Sequence, residues 1–150
     1  MSWEVWTVMP LVFLAVGEDL WRRTISNWIP LTICGAGLLM QTLHGGWAGL
    51  GSAVLGSVCG LAVFLVFYIL GGMGGGDVKL MAGVGAALGP VLVLKAALWA
   101  AAAGGLWALA VLGYRKVAWS GAEAKAAWSA PIPYAPAIGI GVALALVEKL

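Results

Sequence analysis

Two aspartates carry the chemistry that this sequence offers. Asp77 follows Gly74-Gly75-Gly76 and precedes Val78-Lys79-Leu80, between two long apolar runs. Asp19 stands at the end of the first apolar run. A carboxylate in such surroundings costs a few kcal/mol or more, so its default reading is a functional site. Two carboxylates sharing one proton can hydrolyse an amide. The ionised one takes a proton from water, and the protonated one polarises the scissile carbonyl. Like charges held close cannot both ionise, so their titrations split. The resulting values belong to the pair rather than to either residue.

The neighbours of each acid admit plainer readings. Asp19 could pair with Arg22 or Arg23, as intramembrane acids often pair with nearby bases. Asp77 could be a helix N-cap. Both readings weaken when the two acids fall on one membrane face. At the start of a helix, Asp77 would have its ionised form favoured by the dipole, with burial opposing. The three glycines permit backbone conformations closed to other residues and let an extended strand come close. Lys79 either sits by the site or reaches the headgroups. Glu18 competes with Asp19 as the first acid, but at an interface it reads as solvated or as a contact for a basic segment. Cys34 and Cys59 lack CxxC spacing and read as packing residues. Neither a metal nor a cofactor is called for.

These acids need elements to hold them, and composition limits which. The chain has 150 residues, 63% hydrophobic and 9% charged, and its mean hydropathy is +1.02. Soluble domains are about 25% charged. The fold expected is all-α and polytopic, a single membrane-embedded domain over residues 1–150. Six segments can be read: 3–17, 28–43, 47–70, 77–88, 91–112 and 133–147. A turn at His44-Gly45-Gly46 parts the second from the third. Gly89-Pro90 ends the fourth, which at about 1.5 Å per residue reaches only about 18 Å. It reads as a half-helix entered through a re-entrant glycine loop, tolerated where protein or water covers it.

An N-terminus placed outside puts Arg22, Arg23, Lys79, Arg115, Lys116 and Lys125 in the cytoplasm and leaves Lys95 and Lys149 outside. That distribution agrees with the positive-inside tendency and sets Asp19 and Asp77 on the cytoplasmic side. Trp21, Trp28, Trp47, Trp119 and Trp128 fall near segment ends, where indoles anchor. Gly51, Gly56 and Gly60, and the run from Ala100 to Gly105, suit close helix packing. The basic residues form no run that would read as a nucleic-acid patch. In the polar stretch from 114 to 129, Arg115, Lys116 and Lys125 read first as contacts for anionic lipid, and Glu123 as a minority candidate for gripping substrate.

The motif Gly74-Gly75-Gly76-Asp77-Val78-Lys79-Leu80 resembles the glycine-loop motif of the type IV prepilin peptidases, membrane aspartic proteases of the GxGD type. Asp19-Leu20-Trp21-Arg22-Arg23-Thr24-Ile25-Ser26-Asn27 is similar to that family's first motif, with Ser26 where proline is common. Pro133-Tyr134-Ala135-Pro136-Ala137-Ile138 resembles the proline motif that opens its last helix. The resemblance implies an aspartic endopeptidase with Asp19 and Asp77 as its acids. Gly74, Gly75, Gly76, Lys79, Arg22, Arg23, Asn27, Pro133 and Pro136 would support the substrate or the loops.

It implies an inner-membrane, multi-pass enzyme that faces the cytoplasm. Such an enzyme removes the basic leader from prepilins or pseudopilins just before their hydrophobic helix. The bilayer and the prepilin are the partners implied, and N-methylation is not expected. The small size resembles the peptidases of tight-adherence (Flp-type) pilus systems. Presenilin-like proteases share only the GxGD idea and a faint echo at Pro136-Ala137-Ile138. The rival class is a small transporter or channel subunit with an acidic site at a broken helix. It would be favoured by inverted repeats, which the sequence does not show.

Overall fold

The computed structural model describes residues 3–71, 73–118 and 134–148. They form four helices: α1 (Trp3–Arg22), α2 (Trp28–Ile69), α3 (Gly75–Ala118) and α4 (Ala135–Val147). The two long helices are each broken once at a glycine. Gly46 interrupts α2 with φ 56° and ψ −138°. Gly89 interrupts α3 with φ 78° and ψ 174°, immediately before Pro90. Both are positive-φ conformations that cost a Cβ-bearing residue dearly, and Pro90 adds a missing N–H at the second break. Both expected turns therefore fall where they were read.

Contacts across the breaks show that each long helix folds back on itself. Gly37, before the first break, lies against Ala87, and Gly56, after it, lies against Gly85. Gly60 meets Met81, and Gly83 meets Pro30. The two halves of α2 thus clasp residues 75–88 from two sides. After Gly89 the second half of α3 runs back beside the second half of α2, with Val93 against Gly60. Helix α4 closes the bundle antiparallel to it, Gly141 on Ala96 and Ala100, and Tyr134 on Gly104. Helix α1 packs on α4, where Val12 and Val16 face Gly139.

This packing rests on backbone proximity. A Cβ added at Gly37 would stand 2.5 Å from the Ala87 nitrogen, and one at Gly83 would stand 2.6 Å from the Pro30 carbonyl oxygen. Lipid tails are as apolar as Leu, so helices in a bilayer gain by van der Waals approach instead, which small residues allow. The core is accordingly built from Val8, Val12, Ile29, Ile33, Leu80, Met81, Val84 and Ile138, with alanines and glycines between. The outer faces are apolar as well: Phe13 is 65% exposed, Leu31 70% and Leu98 72%. Apolar surface on this scale calls for a cover that water does not supply. Among the described residues, two helices, α2 and residues 75–114 of α3, are long and apolar enough to cross a membrane.

Residues 75–88 occupy the centre. Asp77, Val78, Leu80, Met81 and every residue from Gly83 to Gly89 are buried. A helix apolar all round belongs in such a place. Two boundaries differ from the sequence reading. Helix α1 runs on to Arg22, so Asp19 lies within its last turn. Helix α3 begins at Gly75 and continues to Ala118. The polar stretch read from residue 114 is thus helical at its start, and residues 119–133, with Glu123, Lys125 and Pro133, lie outside the described residues.

Candidate active site

Asp19 and Asp77 come from opposite element ends, one from the last turn of α1 and the other from the first turn of α3. The fold brings them together at one end of the bundle, within electrostatic range of each other. They are the buried charged residues of the described core, 9% and 6% exposed. The Asp19 Oδ2 accepts a hydrogen bond of 3.4 Å from the Ala135 N–H, at the start of α4. Pro136 follows in the first turn of α4, where its lack of an N–H costs nothing. The free Ala135 N–H at that helix start thus meets a carboxylate, as the partial positive charge there favours.

Asp77 has less company. Its backbone N–H donates to the Gly74 carbonyl at 3.2 Å. Its Oδ1 is buried and has no hydrogen-bond partner among the described residues. A buried acceptor left unpaired costs about 1–3 kcal/mol. Native folds retain few such atoms, and one beside a second carboxyl points to a role outside folding.

The three glycines do not act as the sequence suggested. The positive φ in this region belongs to Gly71, at 76°, and Gly75 and Gly76 are already helical. The contribution that shows is room at Gly76. A Cβ at Gly76 would press on the Ile25 side chain at 3.1 Å, and one at Gly74 would stand 3.5 Å from the Asp77 Oδ2. The connection between α1 and α2 can therefore lie directly on the helix start that carries Asp77.

That connection is itself tied down. Arg23 adopts φ 54° and donates its N–H to the Asp19 carbonyl at 2.9 Å, which ends α1. Glu18 accepts from the Ser26 N–H at 2.8 Å and from the Ser26 hydroxyl at 2.7 Å. These bonds hold its carboxyl below the usual range, the backbone bond first. Glu18, read as solvated or as a contact for a basic segment, is a clamp on the loop that sets Ile25 against Gly76. An acid eight residues before a serine was the available signal. Because its folded pKa is depressed, the stabilisation is present at neutral pH and is lost as pH falls through the folded value. Glu18→Gln keeps an acceptor oxygen and should retain function. Glu18→Ala frees Ser26 and should lower activity severalfold with little change in melting temperature, measured side by side.

The remaining sequence candidates divide. Lys79 donates to the Asn27 Oδ1 at 3.0 Å, joining α3 to the start of α2. Asn27 occupies the N-cap position without a side-chain cap bond, so its amide serves Lys79 instead. Arg22 and Arg23 are exposed, and neither forms an ion pair with Asp19 among the described residues. Pro133 lies outside the described residues. At the far end of the bundle Glu148 accepts from Lys95 at 2.7 Å and from Trp99 at 2.9 Å. This pair is half exposed, so solvent screens it and it adds little to stability. Lys95→Gln should leave both the melting temperature and the candidate site unchanged.

Residues 6–109 match the sequence pattern of the type IV leader peptidase family. The chain belongs to this family. It is 35% identical over 104 residues to a prepilin leader peptidase/N-methyltransferase of Aeromonas hydrophila, covering 62% of this chain and 34% of that protein. It is 30% identical over 153 aligned positions to the protein of that description in Aeromonas salmonicida (strain A449), covering 95% of this chain and 46% of that protein. The chain thus spans less than half the length of these curated relatives. No solved structure matches. The match to the leader peptidase family contains both aspartates, both ends of the Lys79–Asn27 bond and the Glu18–Ser26 clamp.

Proposed function

We propose that this chain is an aspartic endopeptidase that removes the leader from prepilin-like substrates. The observation that carries the proposal is the meeting of two buried carboxyls from distant parts of the chain, one with an oxygen that no group among the described residues satisfies. Membership of the leader peptidase family supplies the substrate class. One aspartate, ionised, accepts a proton from water. Its partner, protonated, donates to the carbonyl oxygen. As the tetrahedral intermediate collapses, the proton taken from water passes to the leaving amine and the partner recovers its own from the intermediate's hydroxyl. Neighbouring like charge keeps the second carboxyl protonated, as in other carboxylate pairs. The Ala135 N–H holds Asp19 in place. Lys79 and Asn27, with Gly74, Gly75 and Gly76, fix the start of α3, and Pro136 fixes that of α4.

The bundle crosses the inner membrane six times in this proposal, as one domain. The halves of α2 and α3 on either side of Gly46 and Gly89 each count as one segment, residues 75–88 being the short fourth that protein covers on both sides. Residues 28–45 span about 27 Å at 1.5 Å per residue, close to the hydrocarbon thickness. Arg22, Arg23 and Lys79 lie at the end that holds the aspartates, whereas Lys95 is paired with Glu148 at the other end. That asymmetry favours a cytoplasmic site and an external N-terminus.

The test is cleavage of a co-expressed prepilin, read as a mobility shift with protein levels matched. Cleavage by the wild type, unchanged by a chelator, is expected. Failure to cut the prepilin encoded beside it would overturn the proposal.

A further inference from the structure

A cavity of about 230 Å³ opens between α2, α3 and the start of α4, near the end of the bundle that holds the aspartates. Phe64 and Phe67 of α2, Met73 of the following connection, Ala101 and Gly105 of α3, and Tyr134 line it. Two of these residues adjoin the site in the chain. Tyr134 precedes Ala135, whose N–H reaches Asp19, and Met73 precedes Gly74, which accepts from the Asp77 N–H. From that level the cavity extends inward along α3 to Ala97, eight residues from Gly105 and about 12 Å along the helix. It is smaller than the about 300–1,000 Å³ typical of small-molecule pockets, and so is sized for a side chain.

We propose that this cavity receives the apolar side chain that follows the cleaved bond in the substrate, and that Gly105 and Ala101 set the size it accepts. The inference rests on the peptidase reading above. The bond must lie at the level of the two carboxyls, and the cavity continues from there toward the bundle interior. The substrate residue that enters it is therefore on the apolar side of the cut, while the basic leader stays at the polar end. The small residues on the α3 wall are not explained by packing. A Cβ at Gly104 would stand 2.6 Å from the Tyr134 ring, but one at Gly105 would meet nothing within 4 Å. Ala101 is exposed as well. Glycine in a helix interior costs about 1 kcal/mol against alanine, so an unpacked one at a cavity wall keeps space at the expense of the helix.

The experiment uses the full chain in vesicles of phosphatidylethanolamine and phosphatidylglycerol. Its probes are synthetic peptides with a basic leader and an apolar segment, carrying Phe or Ala as the first residue after the cut. The wild type should cut the Phe peptide with a kcat/KM at least about tenfold above that for the Ala peptide, the scale that apolar pockets achieve. Gly105→Leu should cancel most of that ratio, chiefly through KM, whereas Gly105→Ala should keep most of it. An unchanged ratio in Gly105→Leu would overturn the proposal. A photoreactive leucine at the same peptide position, offered to Asp77→Asn, separates this failure from failure of the peptidase reading. Cross-links to Phe64, Met73 or Tyr134 support the cavity even if the wild type cuts nothing. Cross-links elsewhere, with lipid labelled in the cavity, would overturn it.

Discussion

Asp77→Asn should abolish leader cleavage while the protein accumulates and melts as the wild type does, and Asp19→Asn should do the same. The two effects have one cause. An asparagine pair cannot share a proton, and a single remaining carboxyl can serve as base or as acid but not as both. General acid and base contributions are each worth about 10²- to 10⁴-fold, so loss of either role takes the rate below detection in a mobility assay. The fold should not suffer. Asp77 Oδ1 has no partner to lose among the described residues, and Asn at position 19 can still accept from the Ala135 N–H. Removing a buried charge beside another charge should raise the melting temperature slightly, if it moves at all. Activity lost with unchanged stability separates catalysis from scaffolding. Cleavage retained by either variant would break the dyad. The wild-type rate should be bell-shaped in pH, its limbs belonging to the pair.

The aspartates were legible because they violate the composition around them. The breaks at Gly46 and Gly89 were legible from turn chemistry, since Gly-Gly and Gly-Pro interrupt apolar runs. Other features left no local trace. The Ala135 N–H that holds Asp19 comes from 116 positions away and from a backbone group, which residue identity does not mark. The glycines before Asp77 were assigned conformational freedom, yet none has a positive φ, and Gly76 supplies space for Ile25. Gly51, Gly56 and Gly60 read alike in the sequence as packing residues. Gly56 and Gly60 touch α3, whereas Gly51 faces open space. Which face of a helix is buried depends on its partners, and an apolar helix with lipid on one side and protein on the other shows little contrast between the two.

That difference yields the second large effect. Gly85→Leu should destroy the bundle's function and sharply lower its melting temperature in detergent, and Gly51→Leu should change neither. A Cβ at Gly85 would collide with the Gly56 carbonyl oxygen, and one at Gly56 would collide in return with that of Gly85. Both obstacles are backbone, so no side-chain rotation relieves them. Overpacking a core costs about 1–3 kcal/mol where neighbours can adjust, and more where they cannot. The consequence reaches the site because residues 75–88 form one rigid helix with Asp77 in its first turn. Pushing Gly85 away from α2 shifts that carboxyl relative to Asp19, and a misplacement of about 1 Å can cost about 10²-fold in rate. Gly85→Ala should therefore lose cleavage out of proportion to its loss of stability. If Gly85→Leu melted with Gly51→Leu, the clasp of α2 around this helix would be wrong, and the meeting of the two aspartates with it.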